Sequence, residues 1–234
     1  MTNICLKRLF VALRTPNETR ARLLDAAALL FAEQGFHGTT VREIAHRAGV
    51  NLAAGNYHFG SKRALYLQVL RAHFARIQSE LHARGGAPAP GELDSLDAGG
   101  LHRMLHARLD VMLDLMIGPP PGVYGLLMQR EMMDPSEAMP VIVDEFIRPT
   151  MREMADILAR LAPDLDGPTL QRCAFSIVGQ ALFYLSAMPA VLRVLGVRRY
   201  TRQLTATLVD HVTAFSLGGL TAVERPARRR SRAR

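Results

Sequence analysis

The chain has 234 residues, enough to bury a sizeable core in one or two domains, with no tryptophan and only two cysteines, Cys5 and Cys173. Two cysteines so far apart exclude a disulfide framework and a cysteine-based zinc site, and they point to a reducing, cytoplasmic setting. The formal charge of +8 is unevenly spread: residues 1–63 carry nine Lys/Arg against four Asp/Glu, residues 225–234 carry six arginines and no acid, and the segment between has a net charge of −3. Basic ends on a mildly acidic body predict a polyanionic partner held by the ends, although a solvated tail accounts equally well for the last arginines alone.

In chain order, MTNICLKRLFVALR is apolar only in pieces broken by Lys7, Arg8 and Arg14, with no small-residue cleavage site after it. Residues 1–14 therefore read as a disordered arm, or a start placed too early, rather than a targeting segment. The first helix opens at Thr15, with Pro16 at its first position and Glu18 completing a capping box, and it ends at Gly35. Its apolar stripe is Leu23, Leu24, Ala27, Leu30 and Phe31. The stretch TTVREIAHRAGVNLAAGNYHFGSK, 39–62, holds two short helical patterns. Thr40 and Glu43 form a capping box, Gly49 suits the left-handed residue that ends the first helix, and Asn51 caps the second. Two helices joined by three or four residues with a glycine make a helix-turn-helix, whose second helix enters the major groove.

Ser61 caps a further helix from Lys62 to about Arg84, and the Gly/Ala/Pro run 85–91 interrupts the chain. Helical patterns follow at 101–117, ended by Gly118 and three prolines, at 124–133, and at 136–161, where Pro140 and Pro149 break or kink the helix. The last pair, 169–187 and 200–217, is long and largely apolar. Residues 173–192 lack any charge, but Ser176, Gln180 and Ser186 interrupt them and Pro189 ends them, so a buried helix is expected rather than a membrane span. With no alternating segment long enough for a sheet, the fold class is all-α: an N-terminal helix-turn-helix three-helix domain followed by a helical ligand-binding and dimerisation domain. The expected boundaries are 1–14 for the arm, 15–62 for the DNA-binding domain, 63–219 for the second domain and 220–234 for a basic disordered tail.

Phe31-Ala32-Glu33-Gln34-Gly35-Phe36, Thr39-Thr40-Val41, Ile44-Ala45, Ala48-Gly49-Val50 and Asn56-Tyr57-His58-Phe59 with Ser61-Lys62 resemble, as an ordered set, the TetR-type one-component repressors. The resemblance covers about 16–66. Further on, Arg130-Glu131, Asp134-Pro135-Ser136 and Pro149 are similar to the branch with a CecR-type regulatory domain. The resemblance implies a homodimer built on 169–187 and 200–217, with Phe175, Phe183 and Phe215 as anchors. It also implies double-stranded DNA as partner, with half-sites of a palindromic operator in neighbouring major grooves.

Position by position, the resemblance puts Leu52 to Asn56 at the exposed front of the recognition helix, where most relatives carry polar residues or lysine. Hydrogen-bonded base reading then falls on Asn56 and Asn51, while Ala53 and Ala54 touch thymine methyls. Tyr57 and Lys62 match phosphate contacts, and Thr40 and Arg42 lie in the first turn of the preceding helix, where a phosphate can bind. For the second domain, ten of eleven methionines follow residue 100, which suits either an adaptable apolar pocket or ordinary core. Met104, Met112, Tyr124, Met128, Gln129, Arg130 and Glu131 are the candidate contacts for a small, largely apolar effector. His102, His106 and Asp110 share one helical face, yet no fourth ligand is near, and a solvated polar face explains them. No metal, cofactor or membrane contact is expected. No nucleophile elbow, phosphate loop or paired-carboxylate motif supports an enzyme. The alternatives are a non-specific nucleic-acid binder working through its basic ends, and an activator rather than a repressor.

Overall fold

The computed structural model describes residues 16–118 and 123–231, without the side chains of Pro16, 54–56, Tyr124 and 226–231. Residues 1–14 and the Thr15 cap lie outside it. The described residues are mostly helical and contain no strand. They divide into two compact units, one holding residues up to Ala72 together with Arg130–Met139, the other holding His73–Gln129 with the remainder.

The first unit is built on α1 (Pro16–Gly38), α2 (Val41–Ala48), α3 (Leu52–Phe59) and the first half of α4 (Lys62–Ala83). Leu23, Ala27 and Phe31 of α1, Ile44 and Ala48 of α2, Phe59 of α3 and Leu65, Tyr66 and Val69 of α4 are buried. They recur at three- and four-residue spacing because one stripe of each helix faces the others. Tyr66 lies edge-on to Phe31 with ring centres 4.7 Å apart, and 5.0 Å from Phe36. Gly35 interrupts α1 at φ 76°, ψ 174°, a conformation that glycine reaches without a Cβ clash, so the helix ends in effect where its apolar stripe does. The fully buried Thr39 closes this turn, its hydroxyl donating to the Gly35 carbonyl at 2.8 Å.

The expected domain boundary at residue 62 falls instead at Ala72, inside α4, because the first turns of that helix supply core to the first unit.

The second unit contains the rest of α4, a 3-10 turn (Glu92–Asp94), α5 (Ala98–Ile117), most of α6 (Val123–Met133), α8 (Arg148–Leu161), α9 (Gly167–Ser186), α10 (Met188–Val194) and α11 (Arg202–Ser231). The short α7 (Met139–Ile142) leads into π-helical turns over Val143–Ile147, which accommodate Pro149 without ending the path of the chain. α5 packs against α8, α9 and α11. Leu105, Leu109 and Leu113 of α5 meet Met154 and Leu158 of α8, Ala174, Ile177 and Ala181 of α9 and Val209 and Val212 of α11.

Asp97 and Asp166, not recognised as caps from sequence, accept from the amides of Gly100 and Thr169 at 2.7 and 2.8 Å and open α5 and α9. The uncharged run 173–192 bends by 79° between α9 and α10, and only one face of α9 is buried. The helix expected over 200–217 continues as α11 to Ser231, so the segment read as a disordered tail is helical over most of its length.

Candidate nucleic-acid interface

Local chemistry sets the geometry of the helix pair. Thr40 sits in extended conformation as N-cap of α2: its hydroxyl accepts from the Glu43 amide at 3.2 Å and donates to the Glu43 carboxylate at 2.7 Å, while its own amide donates to that carboxylate at 2.9 Å. These bonds, the hydroxyl first, hold the Glu43 carboxyl below the usual carboxylate range. At the other end Gly49 takes φ 62°, ψ 39°, and its amide returns to the Ala45 and His46 carbonyls. Val50 then bonds back to Ala45 at 3.0 Å, and the Asn51 Oδ1 accepts from the Ala53 amide at 3.1 Å to start α3. The capping box, the left-handed glycine and the second cap were all legible beforehand because every partner lies within five residues.

α2 is anchored from its far end by Arg47, whose guanidinium donates to both oxygens of Glu33 at 2.7 and 3.0 Å. This leaves Arg42, in the first turn of α2, exposed. On α3, Phe59 is buried, His58 is half-buried, and Tyr57 is 86% exposed. Leu52 and Ala53 are exposed at the start of the helix. Ala54 and Asn56 lie outside the described side chains. An exposed arginine and tyrosine beside an exposed helix front fit the two tasks of duplex binding, holding phosphates and reaching base edges.

A family model described as bacterial regulatory proteins of the TetR family matches residues 23–69, and the model for the C-terminal domain of the HTH-type transcriptional dual regulator CecR matches 101–220, half of the chain. The chain belongs to the TetR family. It is a DNA-binding transcriptional regulator of the CecR-type branch, and not an enzyme.

The regulator is 24% identical to CecR of Shigella flexneri over 84% of this chain and 88% of that one. It is 43% identical to the transcriptional activator FasR of Mycolicibacterium smegmatis over 63 residues, 27% of this chain and 29% of FasR. With the transcriptional repressor KstR2 of Rhodococcus jostii it shares 48% identity over 52 residues, 22% of this chain and 26% of KstR2. The matches to FasR and KstR2 thus span less than a third of either relative. Two solved structures share the fold. A TetR-like transcriptional regulator from Rhodococcus sp. RHA1 is 19% identical, with a TM-score of 0.61 over 87% of this chain and 96% of that one. A transcriptional regulator from Aquifex aeolicus VF5 is 20% identical, with a TM-score of 0.53 over 88% and 99%.

Several expected site residues stand elsewhere in the regulator. Lys62, expected on a phosphate, donates its ammonium to the carbonyls of Phe36 at 2.9 Å and Thr39 at 3.1 Å, and stands 4.4 Å over the Phe36 ring. Those carbonyls follow the break at Gly35, and a half-buried cation satisfies them. Arg130 and Glu131, expected as effector contacts, belong to the first unit. Arg130 donates to the Ala32 and Glu33 carbonyls near the end of α1. Glu131, 2% exposed, accepts from the Tyr66 hydroxyl at 2.6 Å and from both the amide and the hydroxyl of Ser136 at 2.9 Å. Both residues are therefore engaged in holding the segment 130–139 on the DNA-binding unit.

Of the other effector candidates, Met104 and Met128 are buried in the second unit, Met112 packs against its core, and Gln129 is half-buried. The side chain of Tyr124 is outside those described. Among the described residues no group of three or more metal-binding side chains is assembled. His106 instead faces Asp210 at 2.9 Å, and Asp110 pairs with Arg84 at 3.2 Å. Arg108, which the sequence pattern did not single out, is 3% exposed and donates to the Gly86 carbonyl at 3.0 Å and to Glu153 at 2.7 Å.

Proposed function

We propose that the protein is a repressor that binds a palindromic operator as a cytoplasmic homodimer and leaves it when a small, largely apolar effector binds. The observation that carries the operator reading is the capped α2–α3 pair, with Arg42, Leu52, Ala53 and Tyr57 exposed on one short stretch. One such helix spans only a few base pairs, and two-fold symmetry supplies the rest. In support of the dimer, α9 and α11 each carry apolar residues that the single chain leaves uncovered: Phe175 and Phe183 on α9, Phe215 and Val223 on α11. Gly179, Gly218 and Gly219 have no atom within 4 Å of where a Cβ would stand, which leaves room for a close helix. An apolar effector suits a second unit whose interior is aliphatic and methionine-rich. The Oγ1 atoms of Thr150 and Thr205 are buried there without a hydrogen-bond partner, and a ligand's polar group would satisfy them. Such a ligand releases the operator only by binding the DNA-incompetent conformation more tightly.

The test is a footprint on DNA from upstream of the protein's own gene, at fixed physiological salt, with scrambled competitor. The expected result is a protected palindrome that the Arg42→Ala, Tyr57→Ala double variant no longer protects, with reporter expression rising when the gene is deleted. Reporter expression falling on deletion would make the protein an activator, as FasR is named. Equal binding to scrambled DNA would make the basic ends, not the helix pair, the basis of affinity.

A further inference from the structure

The front of a recognition helix is ordinarily where hydrogen-bonding side chains reach base edges. Here α3 opens with Leu52, Ala53, Ala54 and Gly55, none of which has a side-chain donor or acceptor. Two polar residues near that front are engaged inside the protein, while Arg42 and Tyr57 are exposed. The Asn51 Oδ1 caps α3 through the Ala53 amide. The Lys62 ammonium is held by two carbonyls. Yet Leu52 is 42% exposed and Ala53 is exposed, so the leading face of the helix is apolar and uncovered. In the major groove the apolar group that protrudes from a base edge is the C5 methyl of a pyrimidine, which in unmodified DNA means thymine.

We propose that this regulator selects its operator through pyrimidine C5 methyl groups packed against Leu52 and Ala53, with hydrogen-bonded base reading in a secondary role. The inference rests on the operator reading above and adds the chemistry by which that operator is chosen. Half-sites then carry thymine where the start of α3 meets the groove. Removing one methyl from such a contact lowers affinity about fourfold, and about fifteenfold when the change is made in both half-sites.

The experiment starts from a random, unmethylated synthetic duplex pool from which the full-length protein selects its site. Each thymine of the selected half-site is then replaced in turn by uracil, and separately by cytosine and by 5-methylcytosine opposite guanine. The expected result is a penalty of about fourfold per methyl at one or two thymines, with 5-methylcytosine preferred over cytosine by a similar factor at those positions. In the Leu52→Ala variant the methyl preference shrinks at one position and persists at the others, a coupling that general weakening of the protein does not produce. Uracil duplexes bound as tightly as thymine duplexes, or an undiminished methyl preference in Leu52→Ala, would overturn the proposal while leaving the operator reading intact. Enrichment of no sequence at all would sink the operator reading and this inference with it.

Discussion

Replacing Glu131 by alanine tests whether the segment 130–139 is a structural member of the DNA-binding unit. The carboxylate is 2% exposed and accepts three hydrogen bonds, from the Tyr66 hydroxyl at 2.6 Å and from the Ser136 amide and hydroxyl at 2.9 Å. Hydrogen bonds to a charged acceptor contribute roughly 1.5–3 kcal/mol each, and a buried donor left without a partner costs about 1–3 kcal/mol. Against this stands the desolvation of the carboxylate, which the alanine no longer incurs. The balance is a loss of about 3–4 kcal/mol, since both the Tyr66 hydroxyl and the Ser136 amide are stranded in Glu131→Ala. For a chain of this length that lowers Tm by roughly 6–16 °C. Tyr66→Phe removes one of the three bonds and costs about 1–2 kcal/mol. Urea denaturation followed by far-ultraviolet circular dichroism measures both, and the double variant completes a cycle. A loss below about 1 kcal/mol in Glu131→Ala, or strict additivity of the two changes, would refute the assignment of Glu131 as the tie between the segment and α4.

Three further perturbations act on separate features. Arg108→Ala leaves Glu153 without its partner and the Gly86 carbonyl without its donor, and is expected to destabilise the second unit by about 2–3 kcal/mol in the same urea assay, since the Glu153 carboxylate stays partly hydrated. Gly49→Ala forces a side chain into φ 62°, and should cost about 1–2 kcal/mol and weaken operator binding in a gel-shift titration, because the turn sets the angle of α3. His73 is buried, and burial first and the nearby Arg76 second push its pKa down to about 4. The unfolded chain takes up that proton near pH 6.5 and the folded chain only near pH 4, so the stability His73 contributes is whole above about pH 6.5 and falls by roughly 3 kcal/mol as the pH drops to about 4. Urea midpoints measured from pH 7 to pH 4 should fall more steeply in the wild type than in His73→Gln, and parallel curves would contradict the shift.

What the sequence revealed and what it hid divide by the reach of the interaction. The caps at Thr40, Asn51 and Ser61 and the turn at Gly49 were readable because donor and acceptor lie within a few residues, so spacing alone encodes the geometry. α10 was missed because seven residues are too few to show a helical period, and α11 runs past the expected end at 217 through Gly218 and Gly219, residues of low helix propensity. The long-range partners of the candidate site residues were hidden for a different reason. Lys62 bonds to carbonyls 26 and 23 residues away, Glu131 to a hydroxyl 65 residues away, and Arg130 to a carbonyl 98 residues away. Nothing in a linear pattern distinguishes a lysine aimed at a phosphate from one closing a helix end, because either target is an array of oxygen acceptors. The same ambiguity separates the two halves of the Arg130-Glu131 pair from an effector pocket: a charged pair amid apolar helix serves equally to anchor a ligand or to fasten two segments of backbone. Only the fold shows the fastening, by bringing the end of α1 and the ring of Tyr66 beside residues 130–136. With Lys62 bound to carbonyls and the Asn51 Oδ1 bound to an amide, the exposed side chains described at the start of α3, Leu52 and Ala53, are apolar and suit methyl groups on the operator bases.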